Sequence, residues 1–210
     1  MISKICENLN TSICFNDVSI GITYCTLTND SNGLGWPKLS DEVFVADTID
    51  WDKFFEHRAK AIEGIKNGNP CKECENCRFI KEADFEDDQK IHYILLSPWQ
   101  VCNSNCIYCL GHAEPIDKNR PDYEQEYKRL VEPYDMVTIL KDMIAHNVLA
   151  DDVEIDFAGG EPTLYPHFDE IINFLLDNDL KNIIIEQIDS HYFDDKLLIN
   201  KNIRIKSEKN

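Results

Sequence analysis

Apolar runs and helical stripes of apolar side chains alternate through the second half of the chain. Runs rich in apolar residues occupy residues 91–96, 153–157 and 182–188, and their length is typical of buried strands. Residues 134–149 and the stretch that begins at Pro166 carry apolar side chains at helical spacing. The pattern predicts the order β-α-β-α-β, in which parallel strands are joined by right-handed helical crossovers. We therefore expect an α/β fold with a parallel sheet over residues 91–210.

The first 80 residues predict a small cysteine-rich α+β module in front of that sheet. Turn-forming residues punctuate residues 1–50, which favours short strands. Residues 51–65 show helical spacing with Asp50 as the expected N-cap, and Gly68 with its neighbours Asn69 and Pro70 should stop the helix. Two polar stretches flank the predicted sheet: residues 81–90 predict a linker, and residues 200–210 predict a frayed end.

Charge and composition narrow the class of partner. The chain has 210 residues, with 39 Asp and Glu against 21 Lys and Arg, for a net charge of −18. Such an acidic surface argues against a nucleic-acid partner and against an anionic membrane, because both need a basic surface. The sequence shows no apolar run near the ~20 residues of a membrane helix and no secretory signal at its start. Nine cysteines, an odd number, disfavour a disulfide scaffold, and we expect a cytoplasmic protein that binds a metal or cluster.

Three closely spaced cysteines follow the first of the predicted strands. Cys102, Cys106 and Cys109 are separated by three and then two residues. They lie where the chain leaves a strand, and α/β folds place their chemistry at the carboxyl ends of strands. Cysteine thiolates are the usual ligands of iron–sulfur clusters, and three ligands to a four-iron cluster leave one iron open. A zinc site assisted by His112, or three buried thiols, would be alternative interpretations.

Two motifs together resemble those of the radical S-adenosylmethionine superfamily. The first is Cys-x-x-x-Cys-x-aromatic-Cys, in which Tyr108 fills the aromatic position, and the second is the Gly159-Gly160-Glu161-Pro162 segment after the second predicted strand. The resemblance covers residues 91 to about 199. It implies a partial (βα) barrel, of which about three βα units are present where six are usual.

The resemblance also implies the site and its reaction. Cys102, Cys106 and Cys109 would hold a [4Fe-4S] cluster whose open iron binds S-adenosylmethionine. A reductant such as flavodoxin or ferredoxin would supply the electron that cleaves this cofactor to a 5′-deoxyadenosyl radical, which abstracts hydrogen from an unknown substrate. The implied cofactor-binding residues are Tyr108 against the adenine, Gly159 and Gly160 along the methionine moiety, Glu161 at its ammonium, and Pro162 beside them.

A second set of cysteines lies in the first module. Cys6 and Cys25, followed by the pair Cys74 and Cys77, resemble the auxiliary-cluster ligands of SPASM/twitch modules, which implies a second [4Fe-4S] cluster and a peptide substrate. A structural zinc held by four of the six cysteines in residues 1–80 is the alternative, because paired cysteines suit zinc. Cys71 has no assigned role in the auxiliary-cluster interpretation.

A barrel of only about three βα units would leave one edge of its sheet exposed. With three parallel strands, residues 183–185 would form an exposed apolar edge, and we expect a partner chain to complete the sheet. The alternative function is then a truncated, non-catalytic iron–sulfur or electron-transfer protein.

Overall fold

The computed structural model describes residues 3–16, 21–25, 39–40, 42–84, 87–97, 134–165, 167–187 and 203–207. Its strands are β1 (Ser3–Ile5), β2 (Ser12–Asn16), β3 (Ile22–Thr23), β4 (Phe44–Val45), β5 (Thr48–Ile49), β6 (Lys81–Ala83), β7 (Ile91–Ser97), β8 (Leu149–Phe157), β9 (Asn182–Gln187) and β10 (Ile203–Ser207). Its helices are α1 (Glu7–Thr11), α2 (Trp51–Lys66), α3 (Met136–Ala145) and α4 (Phe168–Asp177), and 3₁₀ turns cover Lys72–Cys74 and Pro162–Leu164.

A six-stranded sheet in the order β10-β9-β8-β7-β2-β3 organises the described residues. All of its neighbouring strands run parallel except β3, which is antiparallel to β2. The fold is therefore mixed α/β with a mostly parallel central sheet, as the sequence predicts. The apolar faces of α3 and α4 pack with the sheet in one core, whose central side chains include Ile94, Ile155 and Ile183 at 0% exposure.

The apolar runs predict the central strands closely, whereas one helix is shorter than expected. The strands β7 and β9 match residues 91–96 and 182–188 to within one residue. The helix predicted over residues 134–149 ends at Ala145, because Asn147 adopts a left-handed conformation with φ of +53°. The chain then turns directly into β8, which begins at Leu149, four residues before the predicted start at Val153.

The predicted exposed edge at residues 183–185 is wrong. Ile183 and Ile185 are fully buried, and β10 pairs in parallel with β9 from Ile203 opposite Ile183 to Ser207 opposite Gln187. The expectation that residues 200–210 fray is also wrong for Ile203–Ser207. Polar and apolar residues alternate there, as in a strand with one solvated face.

The sheet also takes a strand from the cysteine-rich part of the chain. All five residues of β2 are buried, and this strand runs parallel to β7, from Ser12 opposite Tyr93 to Asn16 opposite Ser97. The division into residues 1–80, 81–90 and 91–210 stays a prediction, but hydrogen bonds of one sheet cross it. Part of the predicted linker is regular structure, because Lys81–Ala83 forms β6 and pairs antiparallel with β1.

The long helix α2 begins where predicted and is anchored at its N-terminal end. The Asp50 side chain accepts a hydrogen bond from the Lys53 backbone N–H at 3.1 Å, which caps the helix. The Trp51 indole N–H donates to Asp142 Oδ2 at 2.7 Å and so ties α2 to α3. No helix in the described ranges is both long enough and apolar enough to span a bilayer.

Candidate functional site at the carboxyl edge of the sheet

The central strands β7 and β8 end side by side. Leu96 lies opposite Phe157, and the Ala158 backbone N–H donates to the Leu96 carbonyl at 3.0 Å, which continues the ladder one residue beyond β8. From Ser97 the chain enters the three-cysteine stretch, and from Ala158 it enters the glycine segment. Both predicted motifs therefore leave the same edge of the sheet from neighbouring strands. Cys102, Cys106, Tyr108 and Cys109 themselves lie outside the described residues.

The glycine segment makes a tight turn as it leaves β8. Gly159 has φ of +107°, in the region that favours glycine over residues with a side chain. Gly160 is buried beside it. This turn accounts for the glycine at position 159, whereas the predicted contact of Gly159 and Gly160 with the cofactor stays a prediction.

Glu161 and Pro162 shape the next turn of the chain. Glu161 is 1% exposed, and its Oε1 accepts hydrogen bonds from the Thr163 backbone N–H at 3.3 Å and from the Thr163 hydroxyl at 2.7 Å. Pro162 occupies the first position of the 3₁₀ turn, where its fixed φ fits and no N–H is needed. A buried carboxylate requires such donors, and both donors from Thr163 fall on one of its two oxygens.

Two polar side chains that the sequence analysis missed lie near this edge. Asp156 is 3% exposed and its Oδ2 accepts a hydrogen bond from the Tyr93 hydroxyl at 2.9 Å, across β7 and β8. Asn16 ends β2 beside Ser97, and its Nδ2 donates to the Gly21 carbonyl at 3.0 Å. No local signal marked Asp156, because β8 also carries Asp151, Asp152 and Glu154, which are exposed or half-buried.

The cysteines of the first 80 residues are gathered by a different part of the fold. Two backbone hydrogen bonds fold the Cys-x-x-Cys-x-x-Cys stretch into successive turns, from Cys74 N–H to the Cys71 carbonyl at 2.9 Å and from Cys77 N–H to the Cys74 carbonyl at 3.2 Å. A further turn, from Ile80 N–H to the Cys77 carbonyl at 3.2 Å, leads into β6. Since β6 pairs with β1, which ends immediately before Cys6, the ribbon brings Cys6 to the same end as Cys77.

The thiols of this cluster perturb one another. The Cys74 thiol donates a hydrogen bond to the Cys71 sulfur, which lowers the pKa of Cys71 to about 7 and raises the pKa of Cys74. Burial raises the pKa of Cys6, backbone N–H groups of its own helix oppose this, and the charges of Cys77 and Cys71 add to the rise. These mutual effects place Cys6, Cys71, Cys74 and Cys77 in one electrostatic neighbourhood.

Cys14 and Cys25 belong to the main sheet, because Cys14 lies in β2 and Cys25 follows its partner β3. The Cys14 thiol donates to Asn16 Oδ1 at 3.2 Å, and burial raises its pKa to about 12. Of the predicted set, Cys6, Cys74 and Cys77 lie at one end of the β1–β6 ribbon together with Cys71, whereas Cys25 does not. The role of the set as metal ligands stays a prediction. As the side chains stand, no three His, Cys, Asp or Glu groups among the described residues are arranged to hold a metal ion.

Comparison with known proteins gives a short, distant similarity. The chain is 35% identical over 72 residues to a UPF0026 protein of Helicobacter pylori strain J99, and equally to one of strain 26695. The matched segment is 34% of this chain and 21% of each relative, so the similarity spans about a fifth of the curated relatives. No family model matches the chain, and no solved structure matches it.

Proposed function

We propose that this protein is a radical S-adenosylmethionine enzyme whose [4Fe-4S] cluster is held by Cys102, Cys106 and Cys109. The bound cluster and S-adenosylmethionine would together supply reductive cleavage of the cofactor and hydrogen abstraction from a substrate. One observation carries the proposal: the cysteine stretch and the Gly159–Pro162 segment leave the same edge of a parallel sheet, from the paired strands β7 and β8. Sites of α/β sheets lie at this edge.

The residues of the glycine segment fit the role proposed for them. The turn at Gly159, with φ of +107°, leaves the backbone without a side chain at its exposed point, so the methionine moiety of the cofactor could approach the main chain closely. Glu161 is buried and held rigidly by Thr163 through Oε1. A carboxylate fixed in this way would accept from the cofactor ammonium through Oε2, at little further entropic cost.

The proposal extends to architecture, reductant and location. The parallel strands β2, β7, β8, β9 and β10 would form one side of a partial (βα) barrel, which a partner chain would complete. Flavodoxin or ferredoxin would deliver the electron. Cys6, Cys14, Cys71, Cys74 and Cys77 are thiols outside any disulfide, which agrees with the reducing cytoplasm. A peptide substrate would follow if the first module holds an auxiliary cluster.

Anaerobic reconstitution with iron and sulfide tests the proposal. The chain should bind about four irons in a cluster that disappears in Cys102→Ala, Cys106→Ala and Cys109→Ala. Dithionite and S-adenosylmethionine should then yield 5′-deoxyadenosine, measured by chromatography, and Gly160→Val should abolish that product while the iron content stays unchanged.

The outcomes separate the two candidate functions. A cluster on the three cysteines without 5′-deoxyadenosine would favour the non-catalytic iron–sulfur or electron-transfer function. A chain that takes up no iron, or that keeps all of it after the three substitutions, would refute the cluster assignment itself.

A further inference from the structure

The β1–β6 ribbon is short. Each strand has three residues, pairing Ser3–Ile5 with Lys81–Ala83. The side chains of Glu7 and Lys81 form an ion pair at 2.7 Å, but both are more than half exposed, and such pairs stabilise a fold little. The ribbon is held to the rest of the fold by the burial of Ile5 and by the packing of β1 against α2. Because a two-stranded ribbon is only marginally stable by itself, a cross-link at one of its ends would add to this packing.

Four cysteines converge at that end. Cys6 directly follows β1, whereas Cys71, Cys74 and Cys77 lie on the successive turns that precede β6. Paired Cys-x-x-Cys units joined to a distant cysteine are the ligand pattern of structural metal sites. Cys25 is the weaker candidate, because it follows β3, which pairs with β2 in the main sheet and not with the ribbon.

The spacing of the cysteines favours a single ion over a cluster. Cys71, Cys74 and Cys77 have the spacing of the first three cysteines of a bacterial ferredoxin run, but the fourth position of that run is Lys81. Paired Cys-x-x-Cys units that meet a distant cysteine suit one zinc ion in tetrahedral geometry, with four zinc–sulfur bonds of about 2.3 Å.

We propose that Cys6, Cys71, Cys74 and Cys77 bind one structural zinc ion, which fastens the N-terminal strand β1 to the segment that leads into β6. The sulfurs of Cys6 and Cys77 would rotate towards the Cys71–Cys74 pair, and the bound ion would displace the thiol protons. Cys71 and Cys77 are partly exposed, and a cleft of about 660 Å³ lined by Cys77, Lys4 and Lys81 gives the ion a path from solvent. The zinc site does not depend on the proposed radical chemistry, because it uses none of the residues at the carboxyl edge of the sheet.

Metal analysis of the full chain tests the site. The assay uses the Cys102→Ala/Cys106→Ala/Cys109→Ala background, which removes the proposed catalytic cluster, so the fate of that cluster cannot mask the result. Elemental mass spectrometry of protein expressed with both zinc and iron should find about one zinc per chain and no stoichiometric iron. Adding Cys71→Ser should reduce the zinc to background, whereas the matched control Cys25→Ser should keep it.

A cobalt titration tests the site without substituting any of the four proposed zinc ligands, so a ligand variant that fails to fold cannot decide the result. Cobalt added to chelator-treated protein in the same triple-alanine background should give the visible absorption of tetrahedral thiolate coordination, saturate at about one equivalent, and be displaced by zinc. Iron found in place of zinc, loss of zinc in Cys25→Ser, or an octahedral cobalt spectrum would each overturn the proposal.

Discussion

Removing the Arg58 guanidinium should destabilise the fold more than removing any surface charge on the same helix. Arg58 is 0% exposed on α2. Its Nη2 donates to Asp87 Oδ1 at 2.8 Å, its Nη1 donates to the Lys90 carbonyl at 3.1 Å, and the guanidinium lies 4.8 Å from the centre of the Phe55 ring. The side chain therefore fastens α2 to the segment that leads into β7.

The magnitude follows from these contacts. The charged bond to Asp87 contributes about 1.5–3 kcal/mol, the bond to the Lys90 carbonyl about 1 kcal/mol, and the ring contact about 0.5 kcal/mol. Arg58→Met keeps the apolar stem and relieves the burial of a charge, and Asp87, whose side chain is 24% exposed, can partly rehydrate. We expect a net loss of about 2–3 kcal/mol in the free energy of unfolding.

Urea unfolding followed by circular dichroism measures this loss as a shift in the midpoint at unchanged slope. Lys60→Met is the matched control, because Lys60 is an exposed residue of the same helix paired with Glu56. Its effect should stay within about 0.5 kcal/mol. Two outcomes would refute the assignment of a stabilising buried pair. One is that Arg58→Met unfolds at the wild-type midpoint. The other is that Arg58→Met destabilises the Asp87→Asn variant as much as it destabilises the wild type.

Three further outcomes are expected. Gly64→Ala should lower the unfolding midpoint despite the higher helix propensity of alanine, because a Cβ there would lie 2.6 Å from the Asn69 carbonyl oxygen; a higher midpoint would contradict this. Gly159→Ala should lower the free energy of unfolding, measured by chemical denaturation, by about 1 kcal/mol, because φ is +107°. Gly68→Ala is the control for the backbone strain alone, since Gly68 has φ of +72° and a Cβ there would meet open space. Asp135→Ala should cost about 1 kcal/mol at pH 7 by removing the cap of α3. Hydrogen bonds from Thr138 lower the pKa of Asp135 in the folded chain. The stability contributed by the cap is therefore fully present above about pH 4, the pKa of an unfolded Asp, and fades as the pH falls through the lower folded pKa. If Asp135→Ala still cost the same free energy of unfolding at pH 2, the cap would be contradicted.

The sequence predicts the elements whose apolar pattern is long and regular. The observed bounds of β7, β9 and α2 lie within about one residue of the expected ones. In these segments the periodicity of the apolar residues is long enough to predict the element from the sequence alone. The strand β10 was missed, since five residues alternating between apolar and polar at a charged terminus resemble a frayed tail until a neighbouring edge is there to pair with.

Long-range pairing accounts for the remaining differences. Nothing local to Cys6 indicates that it lies beside Cys77, since that proximity comes from two three-residue strands far apart in the chain. The same holds for β2, whose apolar pattern was visible but whose partner, β7, was not. At the candidate site, the glycine turn could be predicted from residue types, whereas the hydrogen bond between Tyr93 and Asp156 required the register of two strands.

The place of β2 in the sheet has a consequence for synthesis of the chain. Ser12 pairs with Tyr93, so about 80 residues must leave the ribosome after β2 before its partner appears, which takes about 4–16 s at usual rates. During that interval a segment whose five residues are all buried in the folded chain waits without its sheet, and the cysteines up to Cys77 all emerge before β7 does. A metal that bound them early would hold the waiting segment near its final position and shorten the search for β7, because a smaller loop remains to be closed.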